Sequence, residues 1–141
     1  MPAAARPLST DVSTDVLVIG GGPAGSSVAT RLAEAGHDIT LIEKRTEGRH
    51  KSCGDLLSPR AVNELESLGI DPIVVGGHKV RGVRMRYGAQ RVEVPWPDHP
   101  EFADHGIVCR RDILDEALRD QARAAGANVL ISASGIFAQP D

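Results

Sequence analysis

Cysteine is scarce in this 141-residue chain, which has only Cys53 and Cys109, far apart and outside any CxxC spacing. That excludes a disulfide framework and a cysteine-rich zinc site, and it makes a reducing, cytoplasmic setting the expectation. The five histidines (His37, His50, His78, His99 and His105) form no ligand pattern on a helix face, so no metal is expected. Aromatic residues make up 3%, which leaves aliphatic side chains and alanine to fill a core. Charge of one sign is lacking too. Sixteen Lys and Arg against nineteen Asp and Glu give a net charge of −3, with no basic arm and no nucleic-acid footprint. No stretch approaches the roughly twenty apolar residues a membrane-spanning helix needs. Residues 1–13 lack the apolar segment of a signal peptide and read as a flexible leader. The basic run "EKRTEGRHK" (43–51) reads as a solvated loop, of interest only beside a phosphate.

What the chain does have is a succession of short apolar runs and amphipathic stretches. Residues 15–20, 38–44 and 128–132 are compact and rich in β-branched residues, which predicts three buried strands. A helix is predicted over 24–37, with Val28, Ala29, Leu32 and Ala33 on one face and Gly36 as its stop. After a polar loop (44–57), Ser58 and Pro59 suit the N-cap and first position of a helix whose face is Val62, Leu65 and Leu68. Residues 79–88 and 90–96 alternate apolar and polar around Gly88, the pattern of an antiparallel hairpin. A proline-rich irregular segment (95–106), a short strand (107–110) and the longest helix (111–126) follow. That helix should bury Ile113, Leu114, Ala117, Leu118 and Ala122, and a further strand is expected to begin at 135–139. The fold class is therefore α/β, a parallel sheet with an antiparallel hairpin insertion. Three parallel strands with few helices bury little, so the expectation is the front part of a larger protein.

"GGGPAG" sets Gly20, Gly22 and Gly25 in GxGxxG spacing, after a strand and at the opening of a helix. The first glycine permits the turn, the second lets backbone approach a pyrophosphate, and the third allows close helix–strand packing. Glu43 ends the next strand 23 residues after Gly20, where an acid accepts hydrogen bonds from ribose hydroxyls. A Rossmann-like βαβ unit binding a dinucleotide is expected, without distinction between FAD and NAD.

The stretch "KSCGDLLSP" (51–59) adds a cysteine, a glycine and an aspartate before a helix start. Gly54 lets backbone come close to a ligand, Asp55 suits either a ligand contact or a local turn, and Cys53 a thiol that packs or donates weakly. Arg111 opens the long helix, where the dipole repels a cation; an anionic partner would explain it. Cys109 reads as core. Trp96, between Pro95 and Pro97, suits either an apolar channel or the anchoring of a loop.

Residues 15–44 resemble the FAD-binding start of flavoproteins built like the aromatic hydroxylases. "KSCGDLLSPRAVNELESLGI" (51–70) resembles the geranylgeranyl reductase family, and "RRDILDEALRDQARAAGANV" (110–129) is similar to a later element of the same flavoproteins. Within the family, the stretches "CGDLLSPRAVNELESLGI" and "VRMRYGAQRVEVPWP" resemble the actinobacterial menaquinone reductases. The resemblance implies FAD as cofactor, an isoprenoid lipid substrate whose double bond is reduced, an external electron donor, and contact with the inner membrane face. It implies that Gly20, Gly22, Pro23, Ala24, Gly25 and Ser26 hold the pyrophosphate and that Glu43, with Lys44, holds the ribose. Cys53, Gly54 and Asp55 would lie beside the flavin or its diphosphate arm. Arg111 would contact FAD, or Arg110 if the register shifts by one. Cys53 is the candidate catalytic residue by proximity alone. Residues 14–141 would then form the N-terminal part of an FAD-binding domain, with the start of a substrate domain at about 79–96. The family's later Gly-Asp element has no counterpart before Asp141. Two other readings stay open: a dinucleotide-binding piece without turnover, and an aromatic-ring hydroxylase, which the Cys-Gly-Asp element disfavours.

Overall fold

The computed structural model describes residues 13–46 and 52–134. Nearly all of the expected leader, the end of the basic run at 47–51 and the strand expected at 135–139 lie outside the described residues. In chain order the elements are β1 (Val16–Ile19), α1 (Pro23–Glu34), β2 (Ile39–Glu43), β3 (Leu56–Leu57), α2 (Pro59–Ser67) and β4 (His78–Val80). There follow β5 (Gly82–Tyr87), β6 (Gln90–Pro95), β7 (Gly106–Val108), α3 (Arg111–Ala124) and β8 (Asn128–Ile131).

The first sheet is parallel and ordered β1-β2-β8, with Val18 opposite Leu41 and Leu41 opposite Val129. Only the central strand is buried along its whole length. β1 alternates instead: Val16 and Val18 pack on a core of Ala29, Ile39, Leu41, Ala122 and Ala127, while Leu17 and Ile19 stay 42% and 56% exposed. β8 is half-buried. The expectation of three buried strands thus holds for β2 alone, because an outer strand of a three-stranded sheet lacks a neighbour on one side and successive side chains face opposite ways.

α1 has no side-chain cap at its N-cap Gly22 and carries Pro at its first turn. Its buried residues are Ser26, Ala29 and Thr30, and α1 packs closely along α3. Val28, expected in the core, is 49% exposed. Small side chains at i, i+3 and i+4 let the helices approach, and that contact turns Val28 outward. Gly36, at φ +88°, ends the helix, with the His37 N–H returning to the Leu32 carbonyl at 3.1 Å.

A second core of Val62, Leu65, Leu68, Ile70, Ile107, Cys109, Leu114 and Leu118 joins α2, α3 and the antiparallel sheet β3-β7-β4. Cys109 is core, as expected. Ser58 caps α2, its Oγ accepting the Ala61 N–H at 3.4 Å. Ile113 is 39% exposed, against expectation, because α3 turns Leu114, Leu118 and Ala122 inward. The hairpin forms from β5 and β6 around Gly88 (φ +56°), but residues 78–80 leave it to pair with β7. Trp96 settles as an anchor: its Nε1–H donates to the Val80 carbonyl at 3.0 Å and its backbone N–H to that of Arg81 at 3.0 Å.

Candidate functional site

The site begins where β1 runs out. Gly20 takes φ +104°, a conformation that L side chains rarely adopt, and its N–H donates to the Ile42 carbonyl at 2.8 Å. Gly21 is buried, and its N–H donates to Glu43 Oε2 at 2.9 Å. A Cβ at Gly25 would stand 1.9 Å from the Gly20 carbonyl oxygen, so only glycine lets α1 start this close to the strand. The first turn of α1 carries no acidic residue and no side-chain cap. Amides at such an end, with the positive end of the helix dipole, suit an anion.

Glu43 is 4% exposed. Besides Gly21, its carboxylate accepts the Arg45 N–H at 3.0 Å through Oε1. It therefore braces the glycine turn as well as facing a cavity of about 440 Å³ lined by Ile19, Gly20, Ile42, Glu43, Lys44, Arg45, Ala133 and Ser134. That cavity lies at the carboxyl ends of the parallel strands, where ligands of open α/β sheets bind.

A second cavity, about 510 Å³, runs from Pro23, Ala24 and Ser27 past Cys53 and Asp55 to Arg111. Leu57, Leu65, Leu114 and Leu118 make its wall largely apolar. Asp55 sits at φ +56°, a conformation Asp tolerates better than most residues, and its carbonyl accepts the Cys109 N–H at 2.9 Å. Cys53 is exposed; the Asp55 N–H, and then the Arg111 guanidinium, hold its thiol below the ordinary cysteine range. Burial pushes the Cys109 thiol the other way.

Arg111 has its anion inside the chain. Its Nε and Nη2 donate to Asp115 Oδ1 and Oδ2 at 2.8 and 3.0 Å, and this pairing raises the guanidinium's pKa. The dipole argument for an external anion is thereby answered by Asp115. Arg110 is exposed, bonds Asp112 at 3.1 Å through Nε, and is absent from the cavity wall.

Of the residues expected to bind, Gly20, Glu43 and Lys44 meet at one cavity, while Pro23, Ala24, Cys53, Asp55 and Arg111 meet at the other. Gly22 joins the turn to the helix. Gly54 is exposed, and a Cβ there would touch nothing within 4 Å. Ser26 departs from its expected role. It is fully buried and its N–H serves the Gly22 carbonyl at 3.0 Å, so neither side chain nor amide faces a ligand. Among the described residues its Oγ has no partner.

Sequence reasoning missed Arg119. It is 2% exposed, and its Nη1 donates to the Gly21 carbonyl at 3.0 Å from 98 residues away. It also missed Asp115, which is fully buried. The available signal was the spacing of Arg111, Asp115 and Arg119 at every fourth residue, which puts alternating charge on one helix stripe.

A family model described as FAD binding domain matches residues 13–134. The menaquinone reductase of Mycobacterium tuberculosis (strain H37Rv) is 41% identical over 134 residues, which is 95% of this chain and 33% of that protein. The solved structure of a geranylgeranyl bacteriochlorophyll reductase-like protein from Thermoplasma acidophilum is 32% identical, with TM-score 0.70, covering 89% of this chain and 32% of that one. The myxobacterial chondrochloren halogenase CndH, an FAD-dependent halogenase, is 29% identical at TM-score 0.73, with 84% and 28% covered. The chain spans about a third of the length of the curated relatives it first matches.

Proposed function

The chain belongs to the FAD-binding domain family, and on that premise we propose that the protein reduces a carbon–carbon double bond of an isoprenoid chain, a menaquinone side chain or a geranylgeranyl group. Relatives named for menaquinone and geranylgeranyl-type reduction support the substrate class. One observation carries the reading: a helix start with no acidic residue and no side-chain cap shares Pro23 and Ala24 with a largely apolar cavity.

The residues fit FAD. A glycine turn free of Cβ atoms leads into a helix start with no acidic residue, and a carboxylate stands one strand over. Amides of Gly22, Ala24 and Gly25 would take the diphosphate, and Glu43 with Lys44 the ribose. Cys53, Gly54, Asp55 and Arg111 would border the ring or its diphosphate arm. Reduced FAD, when bound, supplies a hydride to one alkene carbon. The chain's own residues supply orientation and a wall that excludes water. The Cys53 Sγ, held by Asp55 and Arg111, is the candidate group for holding or releasing a proton. An alkene lacks a carbonyl to take up charge, so orientation and proton delivery would carry the catalysis. The hairpin of β5 and β6 reads as the start of a substrate domain, with residues 14–141 as the N-terminal part of the FAD-binding domain. The work would be done on the cytoplasmic side, touching the inner membrane face, with electrons from an external donor. No helix among the described residues is long and apolar enough to cross a membrane.

The test is anaerobic incubation of the purified chain with chemically reduced FAD and menaquinone, read by mass spectrometry. After the ring is reoxidised to the quinone in air, a product that keeps two added hydrogens on its side chain is expected. Bound flavin without product would favour the second reading, a binding piece without turnover. No bound flavin would overturn both.

A further inference from the structure

We propose that Arg119 is a positioning residue for the dinucleotide site, fixing the orientation of the Gly21–Gly22 peptide so that the Gly22 N–H faces the diphosphate. The proposal rests on the dinucleotide reading of the glycine turn. No peptide among the described residues is cis, and in a planar trans peptide the C=O and N–H point opposite ways. The Gly21 carbonyl is turned inward to the buried Arg119 Nη1 at 3.0 Å. The N–H of the same peptide, that of Gly22, is therefore turned outward at the N-cap of α1.

The preceding peptide is held by the same logic with the opposite sense. The Gly21 N–H goes to Glu43 Oε2 at 2.9 Å, so the Gly20 carbonyl points away from Glu43 and toward α1. There it meets Gly25, where a Cβ would lie 1.9 Å from the oxygen. Glu43 and Arg119 thus clamp successive peptides of one turn. Gly21 fits between their stems: a Cβ on it would stand 3.0 Å from Arg119 Cδ and 3.1 Å from Glu43 Cβ. A glycine-rich turn is otherwise free to flip, since glycine populates positive and negative φ alike. Without the arginine, the buried Gly21 carbonyl would lack its donor, and rotation toward water would carry the Gly22 N–H inward.

The test uses the whole chain, wild type, R119M and R119K, with ADP as the probe of the diphosphate-and-ribose portion. Amide resonances of Gly21, Gly22 and Gly36 are followed by NMR, and ADP affinity by calorimetry. In the wild type, the Gly22 N–H should exchange rapidly with solvent and the Gly21 N–H slowly. In R119M, which keeps the stem and loses the donor, the Gly22 resonance should move, Gly36 should not, and ADP affinity should fall about tenfold. R119K, which keeps a donor, should restore both. An unmoved Gly22 with unchanged ADP affinity in R119M would overturn the proposal. So would slow exchange of the wild-type Gly22 N–H, a readout that stands even if R119M does not fold. A wild type that binds neither ADP nor FAD would instead refute the dinucleotide reading, while amide exchange would still judge the peptide clamp.

Discussion

Replacing Gly25 with alanine puts a methyl group 1.9 Å from the Gly20 carbonyl oxygen, 3.2 Å from its carbon and 3.3 Å from Val18 Cγ1. Ordinary contact begins near 3.4 Å, so about 1.5 Å of movement is required, and the obstacle is backbone rather than a flexible side chain. Either α1 backs away from β1, or the Gly20–Gly21 peptide turns and takes the Gly21 N–H off Glu43. The first route opens the small-residue contact around Ala29, and the second breaks a buried hydrogen bond to a charged group. Overpacking and that hydrogen bond are each worth about 1–3 kcal/mol, so a loss of about 3 kcal/mol is expected. For a chain of this size, that lowers the melting temperature by about 10 °C. Two controls separate the causes. Gly36 has open space but φ +88°, so G36A should cost roughly 1 kcal/mol from strain alone. Gly54 has neither obstacle, so G54A should stay within about 0.5 kcal/mol. The assay is thermal and urea unfolding of the three variants beside the wild type. G25A melting together with G54A would refute the reasoning.

Four other substitutions, at three positions, probe the second cavity and the ion pair beside it. Arg111→Met removes the guanidinium that, after the Asp55 N–H, lowers the Cys53 pKa, so the midpoint of the Cys53 alkylation rate against pH should rise, with Cys109 unreactive throughout. The sign follows from a depressed folded value: the thiolate's contribution to stability appears as pH rises through that value, is complete above the unfolded one, and is lost as pH falls. Asp115→Ala strips the partner from Arg111, whose side chain is 14% exposed, and should cost about 3 kcal/mol in urea unfolding. Asp55→Ala should cost about 1 kcal/mol because of φ +56°, whereas Asp55→Gly should melt close to the wild type; equal losses would show that the side chain, not the backbone, matters.

The parts of the site that were legible in sequence are those written locally. The 20–25 spacing, Glu43 at a strand end, and Ser58-Pro59 at a helix start each depend on neighbours a few residues away. Arg119 and Asp115 had only their fourth-residue spacing to mark them, and on a helix that looks like any stripe of surface charges until α3 is laid along α1, 98 residues from Gly21 for Arg119. The short strand β3 was missed for the same reason, and residues 79–80 were given to the hairpin, since β3 and β4 exist as strands only by pairing with β7. Val28 and Ile113 were assigned to the core by periodicity, which gives the width of an apolar stripe but not where the neighbouring element touches it. Arg111 shows the complementary error: a correct demand for an anion, met four residues along the same helix rather than by a ligand.

The central claim is that the diphosphate of FAD rests on the turn from Gly20 to Gly25 with Glu43 beside its sugar. The most direct measurement is an NMR titration of the isotope-labelled chain with FAD, following every backbone amide. The expected result is that the largest shifts fall on Gly20, Gly22, Ala24, Gly25 and Lys44. Shifts confined to other surfaces, such as the groove between Gly69 and Ala124, or no shifts at all, would contradict it.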